Sequence, residues 1–279
     1  MPSMKIIKRR IVSVRNTQQI MKAMDLVATS KLQKAQIRLN AIRPLYNETK
    51  RVMGGIKDFD GQSNNIFLRT REVKNTAYII ITSDRGLCGG YNVNVSKAAL
   101  AHMLEDKREK MITVGLKGWE YFSRRRKNIL QRYVGVSETA LYADAERIGN
   151  LLASLYKSGE VDEAYVVYTH FETMLSHVPR VEKILPVGGS PVTSRIMQYE
   201  PDIDTFLEEA VPLYLGVFIH GAMLESNACE HASRMMSMDS AANNATEIIE
   251  DLTLEYNRKR QSIITQEINE IVSGANALQ

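Results

Sequence analysis

"NTQQIMKAMDLVATSKLQKAQIRLNAIR", Asn16 to Arg43, contains no glycine and no proline, and it reads as helix. The same pattern reaches back to about Ile7 and forward past Tyr46. Alternating steps of four and three from Ile7 visit Ile7, Ile11, Val14, Gln18, Met21, Asp25, Ala28, Leu32, Ala35, Leu39, Ile42, Tyr46, Thr49, Met53 and Ile56; only Gln18, Asp25 and Thr49 are polar. A single apolar register held over about seven heptads marks a helix that lies along another helix. Pro44 interrupts the run by removing a backbone donor. Gly54-Gly55 then weakens it, and DFDGQSNN (Asp58–Asn65) ends it.

The C-terminal part repeats the pattern. Tyr214, Val217, Gly221, Leu224, Ala228, His231, Met235, Met238, Ala242, Ala245, Ile249, Leu252, Tyr256, Lys259 and Ile263 form one stripe, and from about Thr205 to Ala275 the sole proline is Pro212. At ~1.5 Å per residue the two helices are roughly 75 Å and about 100 Å long. A globular domain of this chain length is only about 40–50 Å across. The helices are therefore expected to pair with each other, the longer projecting past its partner. Many seam positions are Ala, Gly, Ser or Met, which allow close backbone approach but bury little area, at roughly 25 cal/mol per Å². Charge agrees with pairing. Lys5–Arg51 holds 12 basic residues against Asp25 and Glu48, and from Asp204 onward 12 acidic residues face four basic ones. Opposite signs on two long helices suit side-by-side packing.

Between the helices the rhythm changes. TAYIIITSD (Thr76–Asp84), the start of MITVGLKGWEYF (Met111–Phe122), EAYVVYTHFE (Glu163–Glu172) and PRVEKILPV (Pro179–Val187) read as strands. Helical stretches follow Gly90 and occupy Glu138–Gly159. Strands alternating with helices imply a small α/β sheet, at least partly parallel. The expected class is α+β: a long antiparallel α-helical coiled coil from the N- and C-terminal helices (1–57 and 205–279), with a central Rossmann-like α/β domain (74–200).

Bulk composition excludes several classes. With 44% hydrophobic and 24% charged residues among 279, the chain can bury a sizeable core and is not a disordered polymer. No apolar run near 18 residues reads as a membrane span, and the basic start lacks the apolar segment of a secretory signal. A cytoplasmic bacterial chain is the simplest expectation. Cys88 and Cys229 form no CxxC motif, and the five histidines match no common metal site, so neither a metal nor a disulfide framework is expected.

TSDRGLCGGY (Thr82–Tyr91) is the most enzyme-like stretch, a strand, a glycine turn and a helix in the order of a phosphate-binding loop. Gly86, Gly89 and Gly90 do not fit GxGxxG, and no Lys-Ser or Lys-Thr completes a P-loop. The expected role is structural: the glycines supply positive φ angles and Asp84 pairs with Arg85 to hold the turn. Two other functional classes fit parts of the pattern. An α/β enzyme could use the helices to oligomerise, and the basic first helix could bind nucleic acid, although the acidic helix beside it and the lack of interleaved aromatics argue against that. The basic cluster Arg124–Lys127 reads as a solvated helix end.

Three separated motifs, IVSVRNTQQIMKAMDLVATSKLQKAQ (Ile11–Gln36), SDRGLCGGYN (Ser83–Asn92) and RQSIITQEINEIVSGANAL (Arg260–Leu278), occur in the same order as in the gamma-subunit family of F-type ATP synthases, and the whole chain resembles that family. The resemblance implies a noncatalytic rotor shaft that couples ion-driven rotation of a membrane c ring to ATP synthesis or hydrolysis at beta subunits. It implies one copy per complex, no cofactor, no nucleic acid, and association with the cytoplasmic side of a bacterial membrane only through the complex. Partners implied are the alpha and beta subunits of the catalytic ring, the epsilon subunit and the c ring. By motif position, Lys22, Met24, Arg234, Arg260, Gln261, Thr265 and Glu267 are expected to meet the alpha/beta ring. Ile268–Leu278 is expected in the sleeve at its top, and Tyr199-Glu200 at the foot near the c ring and epsilon. The pattern leaves open whether Gln18 and Asp25 face the partner helix or the ring.

Overall fold

A computed structural model of the chain describes residues 4–56, 65–103, 108–188 and 202–277. The elements are, in order, α1 (Met4–Gly54), β1 (Asn75–Ile81), α2 (Tyr91–His102), β2 (Arg108–Val114), α3 (Leu116–Ser123), β3 (Ile129–Tyr133), α4 (Tyr142–Lys157), β4 (Glu163–Phe171), β5 (His177–Leu185) and α5 (Ile203–Ala277). Helix α1 has 51 residues and α5 has 75. Tyr199 and Glu200 lie outside the described residues. The chain forms two compact units, residues 29–234 and the remainder (1–28 with 235–279), so each long helix contributes to both.

In the unit of residues 29–234, five strands form one sheet in the order β3-β2-β1-β4-β5. β1 runs parallel to β2 and β4, β2 is parallel to β3, and β4 turns back into antiparallel β5. β1 is central, and every residue after Asn75 is buried. A short strand of Ile, Tyr and Ala buried on both faces is what helices on both sides of a parallel sheet require. Tyr78 and Ile80 point to one face, where Val95 and Ala99 of α2, Met111 of β2 and Phe122 of α3 close a cluster. Pro179 sits in β5, the edge strand, where its missing N–H costs no central ladder bond.

All 15 seam positions read in the first helix are buried or partly buried, and so are all 15 in the second. Tyr46 packs on Phe218 with ring centroids 5.5 Å apart, and in the other unit Gln18 Nε2 donates to Thr246 Oγ1 at 2.7 Å. Within residues 29–234 Tyr46 reaches Gly221 while Lys50, one turn later on α1, reaches Phe218, so the helices run antiparallel there; in the other unit the Gln18–Thr246 contact sets the register. Gln18 thus faces the partner helix. α1 continues through Pro44, which lies on the exposed side, and stops at Gly54, before the glycine pair is complete.

From Val211 to Arg234, α5 is buried nearly all round, not only along its stripe. One cause is α4: a Cβ on Gly149 would lie 3.0 Å from Gly216 N, so these two helices meet backbone to backbone. An 18-residue window of α5 reaches a mean hydropathy of 1.2, high enough by length and composition to cross a membrane, but 67% of it is buried inside the protein. That burial accounts for the apolarity by core packing. In the other unit Ile7, Ala28, Met238, Ala242 and Ala245 are buried. Met4 stands opposite about residue 260 by the register above. Beyond that point α5 has no described α1 residue against it, and its described side chains are exposed apart from partly buried Ile263.

Candidate functional site

The glycine turn leaves the end of β1 and enters α2. Ser83 N–H donates to Asn92 Oδ1 at 2.9 Å, and Asn92 Nδ2 returns to Ser83 Oγ at 2.7 Å, closing the turn across nine residues. Asp84 does not hold the turn through Arg85, as the sequence suggests. Its carboxylate accepts from Leu116 N at 3.0 Å, Gly135 N at 2.9 Å and Ser137 Oγ at 2.7 Å. Leu116 is the first residue of α3, so an anion meets a helix N-terminus where unpaired N–H groups favour it. Arg85 is exposed. Of the expected glycines only Gly89 uses a positive φ, 54°; the other left-handed residue in the turn is Leu87, at 62°. Gly90 is the residue before α2, at φ −81°, and a Cβ on Gly86 would meet nothing within 4 Å.

Arg234 closes on this turn. It is only 9% exposed. Its Nε and Nη2 donate to Gly86 O at 3.4 and 3.3 Å, Nη2 donates to Glu230 Oε1 at 2.7 Å, and Nη1 donates to His231 Nδ1 at 3.1 Å. Burial, and then the charge of Arg234, push His231 down to about 4, so at neutral pH the ring is uncharged and Nδ1 can accept. Burial raises the Glu230 carboxyl, and Arg234 opposes that rise. One turn earlier, Asn227 Nδ2 donates to Ser137 O at 2.9 Å, and Lys31 of α1 pairs with Glu138, whose carboxyl is lowered by that bond. Loop 134–138, the glycine turn, α1 and α5 therefore converge in one hydrogen-bonded junction. Buried polar groups tied in this way resist sliding, because displacement leaves each unsatisfied.

The remaining candidate residues are on the helix surfaces. Lys22 is exposed and Met24 partly buried on α1; Arg260, Gln261, Thr265 and Glu267 are all exposed on α5. Ile264, Ile268, Ile271 and Val272 are 45–71% exposed in the same stretch. Arg234 is set apart from these, its guanidinium turned into its own chain. Ser137, Asn227, Glu230 and His231 were missed from sequence, although polar residues at 225–231 inside an otherwise apolar helix are a legible sign that something polar packs on that helix. Among the described residues no group of three or more His, Cys, Asp or Glu could hold a metal ion. Cys88 and Cys229 meet around Tyr91, but burial raises both thiols, which makes them poor nucleophiles.

A pair of long antiparallel helices packed with a five-stranded mixed sheet defines an α+β protein built on a helical coiled coil. The ATP synthase family model matches residues 3–278. The chain is 42% identical to the ATP synthase gamma chain of Alkaliphilus metalliredigens over 285 residues, covering 99% of each. It is 43% identical to that of Pelotomaculum thermopropionicum over 284 residues, covering all of both. Its fold is similar to a chain of the Euglena gracilis mitochondrial ATP synthase, with a TM-score of 0.73 and 16% identity, covering 99% of this chain and 94% of that one. The chain belongs to the ATP synthase gamma-chain family.

Proposed function

We infer that this chain is the central rotor shaft of an F-type ATP synthase, turning with the membrane c ring and forcing the beta catalytic sites through successive states, without catalysis of its own. The helices of 1–57 and 205–279 form the shaft, and 74–200 the foot. The observation that carries this reading is α5 beyond residue 260, where Ile264, Ile268, Ile271 and Val272 are exposed and no described α1 residue lies against them. Exposed Ile and Val at this density mark a contact surface. The partner there is the alpha/beta ring, met by Arg260, Gln261, Thr265 and Glu267, with Lys22 and Met24 facing it from α1. Arg234 fixes the glycine turn to α5 within residues 29–234. Tyr199 and Glu200 belong to the foot contact with epsilon and the c ring. The complex places the chain at the cytoplasmic face of the membrane, peripheral to it.

Native mass spectrometry of the chain mixed with alpha and beta subunits, with ATPase activity read on the same sample, tests the reading. One copy per hexamer, with activity lowered by changing Gln261 and Arg260 together, is expected. Absence of a stoichiometric complex would overturn the rotor reading.

A further inference from the structure

We propose that Tyr46, seated on Gly221 and tied through Tyr168 to Glu182 and Lys50, is an angular lock that sets how the helix pair is turned relative to the sheet within residues 29–234. The inference rests on the rotor reading above and names positioning residues for it. Four elements meet in the lock: α5 through Gly221, α1 through Tyr46 and Lys50, β4 through Tyr168, and β5 through Glu182.

The first part is steric. A Cβ on Gly221 would lie 2.4 Å from Tyr46 Cδ2 and 2.7 Å from Cε2, so the ring lies directly on the α5 backbone. The seam positions one turn to either side are Val217 and Leu224, both buried. Sliding or rolling α1 by one turn drives the ring into a branched side chain, so the slot has one setting. The second part is directional. Tyr46 OH meets Tyr168 OH at 3.3 Å, Tyr168 OH donates to Glu182 Oε1 at 2.8 Å, and Glu182 pairs with Lys50, one turn beyond Tyr46 on α1. Lys50 Nζ also lies 5.2 Å from the Tyr46 ring centroid and 5.0 Å from that of Phe218. Apolar contacts alone permit slip, because burial is non-directional. Hydrogen bonds weaken steeply with angle, so this chain of bonds opposes rotation of the pair against the sheet. Burial raises both phenols, so the hydroxyls remain protonated throughout the working pH range.

The test uses the complete complex in sealed vesicles, with ATP hydrolysis and ATP-driven ion uptake measured together. Torsional fluctuation of a bead on the foot is recorded with the alpha/beta ring held fixed. Tyr46→Phe/Tyr168→Phe keeps both rings and removes both hydroxyls; it is expected to assemble and to hydrolyse ATP. Its ion uptake per ATP is expected to fall, and its angular variance to rise, by about twofold or more. Lys50→Glu and Glu182→Lys, each placing like charges together, are expected to do the same, and the swapped pair to restore both readings. Wild-type ratio and variance in the assembled double-Phe variant would overturn the lock alone. Failure of the wild-type chain to join the ring would overturn the rotor reading and the lock with it.

Discussion

Replacing Asp84 with alanine removes the acceptor shared by Leu116 N, Gly135 N and Ser137 Oγ, at 2.7–3.0 Å. The lost bonds are charge-assisted, at about 1.5 kcal/mol or more each, and a lost helix N-terminal acceptor alone costs about 1 kcal/mol. Gly135 is exposed and can rebind water, so its share is discounted. The expected loss is about 3–4 kcal/mol. Asp84→Asn keeps one acceptor oxygen but turns an NH2 group toward donors, and is expected to lose about 2 kcal/mol. Urea unfolding of the chain, followed by far-UV circular dichroism, reads this out. With a slope of about 2–3 kcal/mol per M, the alanine midpoint moves down by about 1–2 M and the asparagine midpoint by about half as much. An alanine variant within about 0.3 M of wild type would refute the role of Asp84 as the hub of the turn.

Other outcomes follow from single sites. Gly115 has φ 92°, and a Cβ there would lie 2.2 Å from Thr82 O; Gly115→Ala is expected to destabilise by more than about 3 kcal/mol, measured by the same unfolding curve. His231, lowered to about 4 from the ordinary histidine value of 6.5, binds its proton more readily when unfolded. Its contribution is therefore complete above pH 6.5 and lost as pH falls through 4, with a slope of at most about 1.4 kcal/mol per pH unit. Glu230 is shifted up and works in the opposite sense, while Lys31, Arg234 and Glu138 also face the ring, so the check is the difference in midpoint between wild type and His231→Gln across that window. Removing Arg260–Gln279 deletes a stretch whose described residues are exposed on α5 apart from Ile263. Its urea midpoint is expected to stay within about 0.3 M of wild type, while affinity for the alpha/beta ring drops.

The helices were legible because a heptad repeat constrains every third or fourth residue over a long distance, and no side contact has to be guessed. Three of the four parallel strands were legible for a related reason, since a strand buried on both faces needs an unbroken apolar run such as Tyr78–Ile81. β3 escaped because it is an edge strand with Leu130, Gln131 and Arg132 exposed, leaving no alternation to read. The all-round burial of α5 at 211–234 depends on α4 and the sheet packing on its outer side, contacts distant in sequence. The turn was recognisable by its glycines, but the partners of Asp84 lie 32 to 53 residues away and are set by topology. For Arg234, motif position suggested an outward role. The physical reason it faces inward is the Gly86 carbonyl, left available where the turn bends toward α5.

Rotation itself is the most direct test. A bead attached through Ser123, exposed in α3, is observed while the alpha/beta ring is fixed to a surface and supplied with ATP. A shaft turning among the beta sites predicts unidirectional rotation that pauses at successive fixed angles. ATP hydrolysis at the normal rate with the bead stationary would contradict the central claim.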